Sequence, residues 1–477
     1  MRADPEMRGV RQVGVYAPLL RLDCAAASRA LKFSGLAGRR DGYRAVAGWD
    51  EDAITLAVEA ARGGLADPDA LIFASTSAPF FERLQASLIV DALGLPRETR
   101  SRDVSGSRRC AVSALLDGLL GRGTTVVAAG ERRPGRPGAA SHLAHGDGGA
   151  AAWVGDNAPA RFLGWASLSH DLIDIYASRE HPEPYAAEER FTKESASIEI
   201  LAPTIRRALD SAGLSESDIH HAAVHEPTAG MWREISRATK ITAPNHANEV
   251  TTKLGDLGAA HALFAFALAA GRAKIGERIL LAGFGSGCDA LVFEISGPMP
   301  GAEQAEATLN EGVVLSDYVR FLSLNGALEL DWGVRSEFEQ KAQATVLDRY
   351  GRDVIGFVGG RDGAGNVQFP KSRIPVRPDA NGPEPMQDVR LADGRARIVS
   401  VTADRLNYTP DPPFWFGLAQ FDNGARVMME FTDADVRGFS VGDPVAMRLR
   451  IKSHDRRRGM RNYFWKAAPA RRPALGG

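Results

Sequence analysis

The chain has 477 residues, 44% of them apolar and 25% charged, a composition that suits a globular protein with room for two or three domains. Its 58 basic and 59 acidic residues leave a formal charge of -1, so no whole-chain field draws it to nucleic acid or to an anionic membrane, and any anionic ligand must be met by a local site. Cys24, Cys110 and Cys288 stand far apart with no CxxC pair, which excludes a disulfide framework and a thiolate metal site and fits a reducing, cytoplasmic setting. The first residues hold no continuous apolar core, and Asp4, Pro5 and Glu6 stand where a signal peptide would start, so export is not expected. The most apolar stretch, 259–270, carries His261 and is far shorter than the roughly 20 residues of a bilayer crossing, so a buried helix is expected there.

Taken in chain order, two stretches repeat one plan. ALIFAS, a strand candidate at 70–75, leads through a polar loop to a helix candidate beginning near Cys110 and then to the strand candidate TTVVAAGE. HAAVHEP at 221–227 leads in the same way to GAAHALFAFALAAG and then to RILLAGFGSG. Leu71 and Val126 are spaced almost as Ala222 and Ile279 are. Short continuous apolar runs alternating with helical patterns predict buried parallel strands, hence a duplicated α/β core over residues 8–296. GPMPGAEQAEATLNEG, at 297–312, reads as a linker. Residues 313–385 hold SDYVRFLSLNGALEL, the helical stretch SEFEQKAQATVLDRYG and a Gly/Pro-rich segment. From 386 to 470 come ARIVSV, FWFGLAQF, ARVMMEF and AMRLRIK, parted by turns such as Asp422-Asn423-Gly424, which predict a small β-barrel of OB type. The basic run 454–461 reads as a solvated turn, with a phosphate contact as the alternative.

Three local patterns could carry chemistry. Cys110 lies in SGSRRCAVSALLDGLL, where a thiol at a helix N-terminus beside two arginines would have its thiolate favoured; the plainer reading is a small buried hydrophobe. His225 ends a short apolar run in the second repeat, where it could face Cys110 as an acid/base partner; a satisfied histidine, like nearby His220 and His221, is the alternative. Gly285, Ser286 and Gly287 could aim backbone N–H groups at an oxyanion, or form a simple hairpin turn. No phosphate-binding loop or dinucleotide fingerprint stands in a strand-to-helix context.

In order, VGVYAPLLRL, RAVAGWDEDAITLAVEAAR, the Cys110 segment, HGDGGAAAWVG, AAVHEP, KLGDLGAAHALFAFALA and RILLAGFGSG resemble the bacterial and archaeal 3-hydroxy-3-methylglutaryl-CoA synthase family over about residues 8–296. The resemblance implies a duplicated five-layered thiolase fold, a homodimer, and a ping-pong reaction in which cysteine takes an acyl group from acyl-CoA. It puts that nucleophile at Cys110 and the condensing-site histidine at His225. Three positions depart from the family. Thr76 stands where the synthases carry their general-base glutamate, and a threonine hydroxyl cannot deprotonate an acyl methyl at neutral pH. Gly255-Asp256 replaces a Gly-Asn pair, so an anion stands in place of a neutral donor, unless Asp256 is protonated or has itself become the base. Glu82 is the other candidate base. Gly230 stands where the family has a lysine near the CoA-binding region.

The C-terminal part resembles the acyl-CoA-associated domain that joins a zinc ribbon to an OB-fold and is often found beside thiolases. GFVGGRDGAGNVQFPKSRIPVRPD aligns with the ribbon, but Arg361, Ala364, Pro375 and Pro378 occupy its four cysteine positions, so no zinc is expected. The barrel is implied to cradle the pantetheine arm of CoA or to dock a thiolase, with no part for nucleic acid or membrane. The sequence thus predicts an acyltransferase that uses a CoA thioester as substrate and no other cofactor, performing Claisen-type condensation or the reverse thiolytic cleavage. A non-catalytic or acyl-holding partner of a separate thiolase is the alternative.

Overall fold

The computed structural model describes residues 8–35, 41–64, 67–328, 330 and 344–475. Its centre is a nine-stranded mixed sheet made of two similar halves. In the first, Ala70–Ala74 lies parallel to Thr125–Glu131 with Leu71 opposite Val126, and two antiparallel neighbours follow, Gly148–Asp156 and Arg8–Tyr16. In the second, His221–Val224 lies parallel to Arg278–Phe284, followed by Gly287–Ile295 and Ala160–Ser169. Ala222 faces Leu280, one position from the partner that the spacing suggested. The parallel strands are buried on both faces, which is why they read as unbroken apolar runs. The halves join where Val10 meets Ala160, and a Cβ on Gly9 would lie 1.9 Å from the Ala160 carbonyl oxygen, so that seam requires glycine.

Helices Cys110–Leu120 and His261–Arg272 pack between the two halves, while Ala53–Ala61 covers the outer face of the first and Ala202–Ala212 that of the second. The order helix, sheet, helix, sheet, helix is the expected layered, duplicated α/β fold. Position in these layers explains the sequence of each helix. Residues 261–270 of the middle helix are all buried, so it is apolar all round, whereas Ala202–Ala212 turns Ile205, Ala208 and Leu209 inward and Arg206, Arg207 and Asp210 to solvent. Each large side chain fully buried in the core, such as Phe264 or Phe293, contributes about 1.5–3 kcal/mol.

The stretch expected to be a linker is not open chain. Glu303–Asn310 is a helix that buries Ala305 and Leu309 against the His261–Arg272 helix and the Arg8–Tyr16 strand, and Glu306 pairs with Arg272 at 2.8 Å. Two apolar positions four apart were too short a stripe to show through a polar sequence. Of the expected helical stretch at 336–351, residues 336–343 lie outside the described residues, and a helix runs over Ala344–Ile355. Next, Val358–Arg361 pairs with Val367–Gln368 and Gln387–Arg390. Around the positions where the resemblance places four cysteines, a polar clasp joins the loops: Asp362 accepts from the Ala364 and Asn366 amides at 2.9 and 2.8 Å, and Arg377 bridges Asp362 to Glu384.

The C-terminal unit is a five-stranded antiparallel sheet of Ala396–Asp404, Phe414–Phe421, Arg426–Glu430, Pro444–Asp455 and Met460–Pro469. Its two edge strands meet where Phe431 bridges Ala467, so the sheet closes on itself. The basic run forms the hairpin turn between the last two strands, with Arg456 and Arg457 exposed, Arg458 paired to Asp455 and Arg461 to Asp52. The core of this unit, including Trp465 and Leu449, is continuous with the Ala53–Ala61 helix of the first half. Across that seam runs a buried ionic network. Asp50 pairs with Lys466, Glu51 with Arg450, Asp52 with Arg461 and the Tyr463 hydroxyl, and Glu59 with Arg62 and Arg448. The GWDED segment is thus the socket into which the C-terminal unit is built.

Candidate active site

Cys110 is the first residue of its helix and sits at the carboxyl ends of the parallel strands, the edge of an α/β sheet where ligands bind. The thiol is buried, at 3% exposure, and burial pushes it far up, with the Glu131 charge adding to that; the amides of Ala111, Cys110 and Ser75 pull it down. The resting group is therefore a thiol, and it needs a base before it can attack. The two arginines expected to favour the thiolate spend their charge elsewhere. Arg108 binds Asp174 and Asp256, and Arg109 donates to the Leu168 carbonyl at 3.0 Å. Adjacency in sequence did not decide which way those side chains point.

His225 follows the strand His221–Val224, and its amide donates to the Ala282 carbonyl at 3.1 Å. Its Nε2 lies 2.9 Å from Asp256 Oδ1, and its ring stacks on His261 with centroids 4.7 Å apart. Asp256 also accepts from the Gly258 amide at 2.8 Å and from Arg108 at 3.1 Å, with Arg133 3.5 Å away. Burial pushes this carboxyl up, yet His225, Arg108 and Arg133 outweigh it and hold the group well below the usual carboxylate range. Asp256 is thus an ionised acceptor with its lone pairs occupied. That corrects the expectation that Asp256 could serve as a base: what it does is fix the His225 ring. His261 is neutral, driven down to about 3 by burial and by the neighbouring His225; its Nδ1 accepts the Leu257 amide and its Nε2 lies 3.1 Å from the Ala247 carbonyl.

His225, Asp256 and His261 bring donor atoms within 4.8 Å of one another, a spacing that a metal ion could use. Arg108 and Arg133 already face that carboxylate, however, and His261 spends both nitrogens on backbone groups. A further cation would face the two guanidinium charges there and would have to displace the bonds of Asp256 and His261.

The Thr76 amide and hydroxyl both donate to Glu131 Oε1, at 2.7 and 2.9 Å. Ser77 donates its hydroxyl to Oε2, and the Ala259 amide reaches Oε1 at 3.2 Å. Glu131 is fully buried, and burial raises its carboxyl above the usual range despite Arg133 and the hydroxyl donors. Sequence reasoning missed this residue; the signal present was a charged residue closing an otherwise apolar strand, TVVAAGE. Glu82 is exposed ahead of the Gln85–Leu93 helix and makes none of these contacts. Gly230 has a cation beside it. A Cβ there would stand 2.8 Å from Lys193 Nζ, so another helix places an ammonium beside the position where a lysine was expected.

The hairpin of Gly285, Ser286 and Gly287 docks on the turn ahead of Cys110. Ser107 donates its hydroxyl to the Gly285 carbonyl at 2.8 Å, and a Cβ on Gly285 would meet that hydroxyl at 2.2 Å. The Gly285 amide donates to the Gly287 carbonyl at 3.0 Å, so it is spent inside the hairpin and does not serve as the expected donor. Ser286, at φ 48°, forms the exposed tip.

A duplicated five-layered core with a cysteine at the start of one central helix defines a thiolase-like fold of the kind that acyl-condensing enzymes use. Residues 209–295 match the family described as 3-oxoacyl-[acyl-carrier-protein] synthase III, C terminal. The hydroxymethylglutaryl-CoA synthase of Pyrobaculum neutrophilum is 30% identical over 312 residues, 60% of this chain and 87% of the relative, and that of Aeropyrum pernix is 26% identical over 70% of this chain and 94% of the relative. The chain belongs to the hydroxymethylglutaryl-CoA synthase family. Among solved structures, an HMG-CoA synthase complexed with CoA superposes with a TM-score of 0.57 at 16% identity, over 70% of this chain and 94% of that one. The 3-oxoacyl-(acyl carrier protein) synthase III of Pseudomonas aeruginosa superposes at 0.51 and 19%, over 62% and 100%. Among the described residues no helix is long and apolar enough to cross a membrane.

Proposed function

We propose that this protein is an acyltransferase acting on acyl-CoA thioesters, with Cys110 as the acyl carrier and a Claisen-type condensation, or its thiolytic reverse, proceeding from the acyl-enzyme. The observation that carries this reading is the buried Cys110 thiol at the first position of a central helix packed between the two halves of the core. In acylation, His225, oriented by Asp256, takes the Cys110 proton; the sulfur attacks the thioester carbonyl, and the departing CoA sulfur receives the proton from His225. The His225 and Asp256 pairing follows the logic of a nucleophile whose base is held by a carboxylate.

We read the closed five-stranded unit as a barrel of OB type and assign it to CoA. A cavity of about 450 Å³ lies between it and the body, walled by Trp49, Phe414 and Trp415 and bordered by Arg405, Arg437 and Lys466. The aromatic walls suit the adenine ring of CoA, while Lys466 is held by Asp50 and Glu430 and Arg437 by Asp435. Homodimerisation and docking of a thiolase are further expectations of the family likeness.

The test is mass spectrometry after incubation with acetyl-, propionyl- and acetoacetyl-CoA. An acyl adduct mapping to Cys110, and absent from Cys110→Ala, is expected. No adduct with any of the three would overturn the assignment.

A further inference from the structure

We propose that Glu131 is the general base of the carbon–carbon step, supplied by the strand next to the one on which the synthases are expected to carry it. The inference rests on the acyl-carrier reading of Cys110.

Ala74 and Ala129 are paired on adjacent parallel strands, so Thr76 and Glu131 stand level with each other two residues on, at the carboxyl ends of the two strands. A carboxylate lost from position 76 and one present at 131 therefore reach the same space. Contacts bear this out: both donors of Thr76 point at Glu131 Oε1. Oε1 also receives the Ala259 amide, while Oε2 receives only the Ser77 hydroxyl among the described residues, which leaves Oε2 a lone pair for an incoming proton. Glu131 lies close enough to Cys110 for its charge to act on the thiol. Gly258, at φ 54°, packs closely on it, and a Cβ there would stand 3.1 Å from Glu131 Cγ and Cδ. The other acids are disqualified: Asp256 is saturated by cations and His225, and Glu82 is exposed. Burial makes the Glu131 carboxylate a stronger base than a solvated one, as proton abstraction beside a thioester requires.

With the acyl group on Cys110, Glu131 Oε2 takes a proton from the carbon next to the thioester carbonyl; the C–H electron pair becomes the enolate, and Glu131 becomes a carboxylic acid. The enolate carbon then attacks the carbonyl of the acceptor, and the proton on Glu131 is available to the oxygen that forms there.

Hydrogen exchange isolates this step from condensation. The enzyme is loaded with acetyl-CoA in D₂O, and the acetyl-Cys110 peptide is followed by mass. Wild type is expected to take deuterium into the acetyl group, and Glu131→Gln to acylate Cys110 while exchanging about 100-fold more slowly or worse. The double variant Thr76→Glu/Glu131→Gln, which moves the carboxylate back to position 76, is expected to recover about tenfold or more of the exchange rate. An acylated wild type that does not exchange, or Glu131→Gln exchanging like wild type, overturns this inference and leaves Cys110 acylation standing. Failure of wild type to acylate with any of the three thioesters overturns the acyl-carrier reading and this step with it. If Glu131→Gln loses acylation as well, the double variant decides: return of acylation and exchange supports a base role, and return of neither shows that Glu131 only builds the Cys110 pocket.

Discussion

Replacing Arg450 by methionine tests how the C-terminal unit is held to the body. Its side chain is fully buried and faces Glu51 at 3.1 Å, Asp433 at 2.9 Å and the Tyr16 hydroxyl at 2.9 Å. Methionine fills much of the volume but removes the charge. Asp50 keeps Lys466 and Asp433 keeps Arg472 at 3.7 Å, so Glu51 is the carboxylate left without a cation. Removing one partner of a buried pair costs about 3–5 kcal/mol, and loss of the Tyr16 contact adds to that by about 1 kcal/mol. We expect Arg450→Met to lose about 4 kcal/mol of stability at pH 8. Glu51 is already held above the usual carboxylate range by burial, with Arg450 opposing that, and removal of Arg450 raises it further. A carboxyl raised in the folded state costs stability as pH rises from its unfolded value to its folded one, by about 1.4 kcal/mol per pH unit. The defect must therefore shrink as pH falls from 8 toward 5. Urea unfolding midpoints of the full chain at several pH values measure it, and Arg450→Met/Glu51→Gln should regain about half of the loss. A defect under about 1 kcal/mol at pH 8, or one that does not change with pH, would refute the assignment of Arg450 as the counter-charge.

Three further outcomes follow from the site and its supports. Asp256→Asn keeps the shape but frees His225 from its anionic partner, and acylation of Cys110 should slow by about 10²–10⁴-fold in single-turnover assays. Glu59 is pushed up by burial, but Arg62, Arg448, Arg450 and the Leu449 amide bring it down to about 2 from the ordinary 4.5. Glu59→Gln should cost about 3 kcal/mol above pH 4.5 in urea unfolding, with the difference from wild type constant at higher pH and vanishing as pH falls through about 2. Gly258→Ala places a Cβ 2.9 Å from Arg133 Cδ in a left-handed backbone, so it should lower the thermal midpoint and slow α-hydrogen exchange at acyl-Cys110 together.

Much of the architecture is visible in the sequence because it is periodic and local. Unbroken apolar runs such as ALIFAS gave the parallel strands, the all-apolar 261–270 segment gave a buried middle helix, and the near-equal spacing of Leu71 to Val126 and Ala222 to Ile279 gave the duplication. Cys110 at a helix start and His225 at a strand end were legible for the same reason: each is a position in one element. The tertiary structure decided everything that depends on register and on the direction of side chains. Thr76 and Glu131 meet only because their strands pair in parallel, and Arg108 and Arg109 turn from Cys110 because buried carboxylates and a carbonyl claim them. The acids of GWDED look like surface charges until Lys466, Arg450 and Arg461 arrive from the far end of the chain. A pattern along the chain reports which face of an element is buried. Which charges meet there is settled by long-range packing, because no dihedral preference or local spacing encodes a partner hundreds of residues away.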